Sequence, residues 1–334
     1  MSAGRAGGFP VSADGQAFGR GTESGLADRI WHSLPAKGLV SGDTIWLREP
    51  ADADVGALLR QVRAGNYGQP FALDSVRSRR LHFSLRFVQS EMLLDHPTRL
   101  TLSYTRQMMA FLLFQPHPRD LVMVGLGGGS LTKFCHRHLR ETRITTVEID
   151  PRVIEFGELF ELPEPDERYQ LVQADAADYL GELNEQVDVV VMDGCDEQGV
   201  APQFCTGDFF QGLRRRLRPS GMVVLNLIGL VGRSNVLLNH IRAAFWDQVI
   251  VLNANARAGD NKIVFAFNDP FMVPDWDLIE KRAALLSKRC GMDFHQFASM
   301  LRLAHDLQRA CLAPPPLASR LRSLAGRART PRRS

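Results

Sequence analysis

From residue 121 to residue 268 the chain alternates continuous apolar runs with amphipathic stretches, and that rhythm constrains the fold more than any other feature. The runs are LVMVGLG (121–127), ITTVEID (144–150), YQLVQAD (169–175), VDVVVMD (187–193), GMVVLNLIG (221–229) and DQVIVLNA (247–254). A strand that stays apolar without alternating is buried on both faces, as in a parallel sheet covered by helices. The intervening stretches, among them SLTKFCHRHLR (130–140), PRVIEFGELFEL (151–162) and SNVLLNHIRAAFW (234–246), carry apolar residues mostly at helical spacing. NKIVFAFN (261–268) follows closely enough to pair antiparallel with the run before it. The pattern predicts a doubly wound, mostly parallel, Rossmann-like α/β sheet of about seven strands.

The flanks read differently. Residues 1–40 are rich in Gly, Ser and Ala and are expected to be disordered. Residues 41–118 read as a small β-rich unit with a linking helix: TIWLREP, PFALDSV and RRLHFSLRFVQSEMLL as strands, then LSYTRQMMAFLLFQPHP as a helix stopped by Pro116 and Pro118. Residues 119–268 form the expected α/β unit. A helical extension follows at 269–313, with helices near 274–290 and 293–311, and then a basic disordered tail at 314–334.

Composition excludes several classes. The 334 residues are 45% hydrophobic and 23% charged, ordinary for a globular enzyme with a sizeable core. A net charge of +3 makes no global case for nucleic-acid binding, and the arginines of SRLRSLAGRARTPRRS read as a solvated end. Five scattered cysteines fit a reducing compartment and argue against a disulfide framework or a zinc ribbon. The start has no apolar signal region, and MMAFLLF (108–114) is too short to span a bilayer, so the expectation is a cytoplasmic protein without a membrane segment. Cys135, His136 and His138 share one helix without a third ligand at helical spacing, so no metal is expected.

In a doubly wound sheet the ligand sits at the carboxyl ends of the strands. Four successive strands end in signals there. The first ends in Gly125-Leu126-Gly127-Gly128-Gly129-Ser130, a turn that lets backbone approach a ligand ahead of a helix start. The second ends in Glu148, about 20 residues on, where an acid accepts hydrogen bonds from ribose hydroxyls. The third ends in Asp175, placed to accept from the exocyclic amine of adenine, which leans toward an S-adenosyl nucleoside. The fourth ends in MDGCDEQGVAPQFCT, with Asp193 and Asp196 in one turn. An amine nucleophile must lose a proton before it attacks, and a positioned carboxylate accepts it. Each signal also has a plainer reading: tight packing, a solvated strand-end acid, or a capped turn.

The pieces GLGGGSL, VEIDPRVIEF, QADAADYL and VVMDGCDEQGVAPQFCTGDFFQGLRRRLRPSGMVVLN together resemble the spermidine/spermine synthase family, aminopropyltransferases on the class I methyltransferase fold. The resemblance covers residues 120–229 and, more loosely, 75–268. It implies decarboxylated S-adenosylmethionine or S-adenosylmethionine as co-substrate, a small-molecule amine acceptor and a homodimer. It implies that Gln89, the turn Gly125, Gly127, Gly128 and Gly129, Glu148, Asp175, Ala176 and Asp193 contact the nucleoside. Asp193 would be the base, with Asp196 and Tyr104 beside the amine. The chain departs from the family in three places. Gly128 stands where the family has an Asp that binds the donor's ammonium, Thr105-Arg106 replace a His-Glu pair, and NANARAGDN (253–261) lacks the Pro/Tyr of the polyamine loop. Loss of an acid and gain of Arg106 open two alternatives: a methyl or aminocarboxypropyl transferase using S-adenosylmethionine itself, and a non-catalytic binding module.

Overall fold

A computed structural model describes residues 28–36, 39, 43–196, 199–228, 231–253 and 261–312. The expectations for the rest of the N-terminal segment, for residue 313 and the basic tail 314–334, and for the loop 254–260 lie outside the described residues.

Five antiparallel strands make the first sheet, in sequential order: β1 (Arg29–Pro35), β2 (Thr44–Pro50), β3 (Phe71–Asp74), β4 (Ser78–Ser84) and β5 (Phe87–Leu93). Two sequence expectations are corrected here. The stretch RIWHSLP, inside the segment expected to be disordered, is a full strand paired with β2 from Arg29↔Pro50 to Pro35↔Thr44. Trp31 anchors it, its ring edge-on to Phe156 at 4.9 Å and its Nε1 donating to Glu158 at 3.1 Å. A glycine-rich average hid a short strand whose partner is distant in sequence. Between β2 and β3, where only strands were expected, runs α1 (Val55–Ala64), capped by the Asp54 carboxylate. Val55, Leu58, Leu59 and Val62 stand at i, i+3, i+4 and i+7, a helical stripe.

The linking helix is α2 (Ser103–Met108), which tightens into a 3-10 turn over Met109–Leu113. That turn is completely buried, and a later helix, Trp276–Cys290, packs over it. The second sheet then begins with β6 (Asp120–Val124), followed by α3 (Ser130–His138), β7 (Arg143–Glu148), α4 (Pro151–Glu155), β8 (Tyr169–Gln173), α5 (Ala176–Glu182) and β9 (Val187–Met192). A two-residue pair, β10 (Cys195–Asp196) and β11 (Gly199–Val200), precedes α6 (Gly207–Arg215), β12 (Leu217–Leu227), α7 (Val231–Ala244), β13 (Val249–Asn253) and β14 (Lys262–Phe267). The hairpin α8 (Trp276–Cys290) and α9 (Phe294–Leu312) follows.

The seven strands lie in the order β13-β14-β12-β9-β6-β7-β8. All neighbours are parallel except β14, which runs antiparallel to both β12 and β13. One face carries Phe111, Phe134 and Phe294 in one core cluster; the other carries Phe210 and Phe245 in a second. Both faces are covered, which is why the strands read as unbroken apolar runs. The chain steps outward from β6 to β7 and β8, then returns to place β9 on the other side of β6. That reversal opens a crevice above the carboxyl ends of β6 and β9.

Cys135 is buried against the Met109 sulfur, and His136 meets Asp166 at 3.0 Å. Among the described residues no three His, Cys, Asp or Glu side chains group around a metal-sized space, and no helix is long and apolar enough to cross a membrane.

Candidate active site

A cavity of about 320 Å³ occupies the crevice, roofed by Phe83, Gln89 and Ser90 from the first sheet and by Tyr104 from α2. Its floor is the turn after β6. Gly125 adopts φ 89°, and a Cβ there would lie 2.7 Å from the Asp193 carbonyl oxygen, so only glycine lets the ends of β6 and β9 approach this closely. Gly127 also lines the cavity, as does Ser130 at the start of α3.

Glu148 ends β7 with its side chain buried, and both carboxylate oxygens are fixed from the backbone. Leu126 N–H donates to Oε2 and Asp150 N–H to Oε1, each at 2.9 Å. Each oxygen keeps a further lone pair for a ligand. Asp175 caps α5, accepting from Ala177 N–H at 2.8 Å, while its other oxygen accepts from Gln203 Nε2 at 3.1 Å. Ala176 lines the wall beside it. Asp150 lines the cavity too, although Arg152 holds its carboxylate at 2.7 Å.

Asp193 follows β9 and is the most perturbed acid of the site. Tyr104 Oη donates to its Oδ2 at 3.1 Å and Asn226 Nδ2 to its Oδ1 at 2.8 Å. Both bonds favour the carboxylate, yet desolvation outweighs them and the acid is pushed up to about 6. The charged residues lining the cavity, among those described, are Glu148, Asp150, Asp175 and Asp193: every one is an acid. A space walled by carboxylates with no lining cation selects a positively charged ligand.

Of the residues singled out in the sequence, Gln89, Tyr104, Gly125, Gly127, Glu148, Asp175, Ala176 and Asp193 line this one cavity. Gly128 and Gly129 are not among its lining residues. A Cβ at Gly128 would lie 2.7 Å from both Phe160 Cδ1 and Ser90 Oγ, so glycine here accommodates the roof. Gly129 turns its α-carbon toward Leu162. Arg106, expected to bring a cation near the ligand, turns away and donates to the carbonyls of Leu100 and Thr101. The Asp196 backbone lies in β10, and its side chain is outside the described residues. Sequence reasoning missed Asn226, the partner of Asp193. Its signal was present: an amide in the otherwise apolar run of β12 has to find a polar partner.

A doubly wound sheet with an acid-walled cavity at its reversal point defines a class, the Rossmann-like α/β proteins that hold a ligand where the strand order reverses. Comparison with known proteins narrows it. The family model described as "Spermine/spermidine synthase domain" matches residues 101–231. A polyamine aminopropyltransferase of Chromobacterium violaceum is 34% identical over 225 residues, which is 67% of this chain and 85% of that protein. Among solved structures, a probable spermidine synthase from Corynebacterium glutamicum has the same fold, with TM-score 0.55 at 18% identity over 70% of this chain and 91% of its own. Human Methyltransferase-like protein 13, in complex with S-adenosylhomocysteine, superposes with TM-score 0.51 at 26% identity over 57% of this chain and 94% of its own. The chain belongs to the spermine/spermidine synthase family and is a spermidine-synthase-like transferase.

Proposed function

We propose that the protein moves an aminopropyl group from decarboxylated S-adenosylmethionine to a small amine, with Asp193 as general base. The observation that carries this is the all-acidic lining of the cavity. Decarboxylated S-adenosylmethionine is cationic at sulfur and at its tail, and the acceptor is an ammonium; none of them brings a negative charge.

In this reading Glu148 accepts from the ribose hydroxyls, Asp175 accepts from the adenine amine with Ala176 beside it, and Gln89 and Tyr104 close the roof. The turn backbone at Gly125 and Gly127 lies against the nucleoside. Asp193 takes a proton from the acceptor ammonium. The freed nitrogen lone pair attacks the propyl carbon on sulfur; the C–N bond forms as the C–S bond breaks, and its electron pair leaves on a neutral thioether. The raised Asp193 favours the first step. An alkylammonium near pKa 10.4 and an ordinary aspartate near 3.9 differ by roughly 6.5 units, about 9 kcal/mol. With Asp193 near 6 the gap falls by about 3 kcal/mol. Desolvation narrows it further, because transfer converts an ion pair into two neutral groups.

The alternative donor, S-adenosylmethionine with its carboxylate tail, loses support with Arg106 held by the carbonyls of Leu100 and Thr101 and no cation among the described residues of the lining. The binding-module reading is disfavoured by the burial of Asp193, which raises the acid at a cost a passive pocket does not need, while Tyr104 and Asn226 hold its two oxygens in place. A homodimer and a cytoplasmic site of action belong to the same proposal; the unbridged Cys135 and Cys290 thiols support a reducing surrounding. Turnover assays with each donor test the reading, with mass-spectrometric identification of the product amine. Faster transfer from S-adenosylmethionine than from the decarboxylated donor overturns it.

A further inference from the structure

A second depression, of about 510 Å³, lies at the far end of α3 and has the opposite charge character. It is lined by Lys133 and Arg137 from α3, by Arg140 just beyond it, and by Arg168 ahead of β8. Glu161 is the carboxylate of the lining. His136 also lines it but is taken up by Asp166, which stands 4.0 Å from Arg168 as well.

These cations are placed differently from the scattered arginines of an ordinary surface. Lys133 is only 3% exposed, with its Nζ donating to the Phe160 carbonyl and touching the Met92 sulfur at 3.0 Å. Arg168 is oriented by the carbonyls of Leu139 at 3.1 Å and His136 at 3.4 Å, and a guanidinium has five N–H donors, so this anchoring leaves donors for a ligand. Arg137 and Arg140 are exposed at the rim. Arg168 oriented at the base, with Arg137 and Arg140 able to close from the rim, suits a ligand carrying several oxyanion oxygens. Guanidinium groups match phosphate bidentately, and the volume exceeds what one phosphate fills.

We propose that this depression binds a small molecule carrying linked phosphates, a diphosphate group either free or on a nucleoside. The ligand would sit one side chain, Lys133, from Phe160, whose ring closes over Gly128 in the turn of the candidate active site.

The test is calorimetric titration of the full chain with sodium pyrophosphate and, separately, with adenosine diphosphate, at about 0.15 M ionic strength, where long-range charge effects are screened. Arg137→Ala/Arg140→Ala is the test variant, since both side chains are exposed and their loss leaves the core intact. Lys281→Ala/Arg302→Ala, two exposed cations on α8 and α9, is the control. One-site binding that weakens at least about tenfold in the test variant, and not in the control, is the expected result. Equal affinity for the two probes identifies the phosphates as the recognised part, and tighter adenosine diphosphate identifies a nucleotide. No binding of either probe at millimolar concentration overturns the proposal. So does an equal loss in both variants, which would mean net charge alone.

Discussion

Replacing Asp193 with asparagine separates the proton-accepting role from every other property of the cavity. The amide keeps the size of the side chain and an acceptor for Tyr104 or Asn226, and removes the charge. In the native protein burial raises this acid from 3.8 to about 6, and at 1.36 kcal/mol per unit that is a cost of about 3 kcal/mol for holding it ionised. The sign follows from linkage: the folded state binds the proton more tightly than the unfolded chain, so this contribution falls as pH rises through the window from about 4 to about 6. Between pH 5 and pH 8 the change is about 1–2 kcal/mol. A carboxamide does not titrate, so Asp193→Asn should gain stability relative to the parent by that amount over the same interval, measured by urea unfolding. Turnover should fall about 10²–10⁴-fold, with loss of the rising limb near pH 6 in the pH–rate profile. A variant that keeps turnover within about threefold of the parent, or keeps that limb, refutes Asp193 as the base.

Further outcomes follow from the same geometry. Tyr104→Phe removes a hydrogen bond that lowers the Asp193 pKa, so the rising limb should move to higher pH; an unmoved limb would mean that the bond does not form in the working enzyme. Glu148→Gln sets an amide NH₂ against one of two backbone donors, so affinity for a thioether nucleoside should fall about 10-fold or more by calorimetry, and stability by about 1–3 kcal/mol. Gly128→Asp forces a Cβ to within 2.7 Å of Phe160 and Ser90 and should cost about 1–3 kcal/mol in thermal unfolding, with part recovered on adding Phe160→Leu. At the opposite end of the sheet, buried Asp120 meets Arg143 and Arg218, each at 2.6 Å. Asp120→Ala removes the partner that the two arginines share, leaving Arg218 with Asp188 at 2.8 Å and Arg143 with Glu185 at 3.9 Å, and should lower the urea midpoint by an amount equivalent to about 1–3 kcal/mol.

Much of the site was legible because strand ends carry it. Glu148, Asp175 and Asp193 are polar residues that close apolar runs, and in a parallel sheet those closures share one edge. The elements missed were those whose meaning depends on a distant partner. RIWHSLP becomes a strand because β2 lies beside it, and VGALLRQVRA becomes a helix whose apolar stripe packs beneath the first sheet. Asn226 was visible as an amide among valines and leucines, but its partner, 33 residues earlier in sequence, was not.

The sequence alone determined the doubly wound sheet, the glycine turn and which strands end in acids, because side-chain periodicity and local backbone preference act over a few residues. Tertiary structure decided which of those residues line the cavity. Gly128 fills space under Phe160 rather than touching the cavity, and Arg106 spends its donors on carbonyls five and six residues back. The raised pKa of Asp193 is likewise tertiary, since desolvation depends on what surrounds a carboxylate in space, and that surrounding comes from α2 and β12 as much as from its own strand.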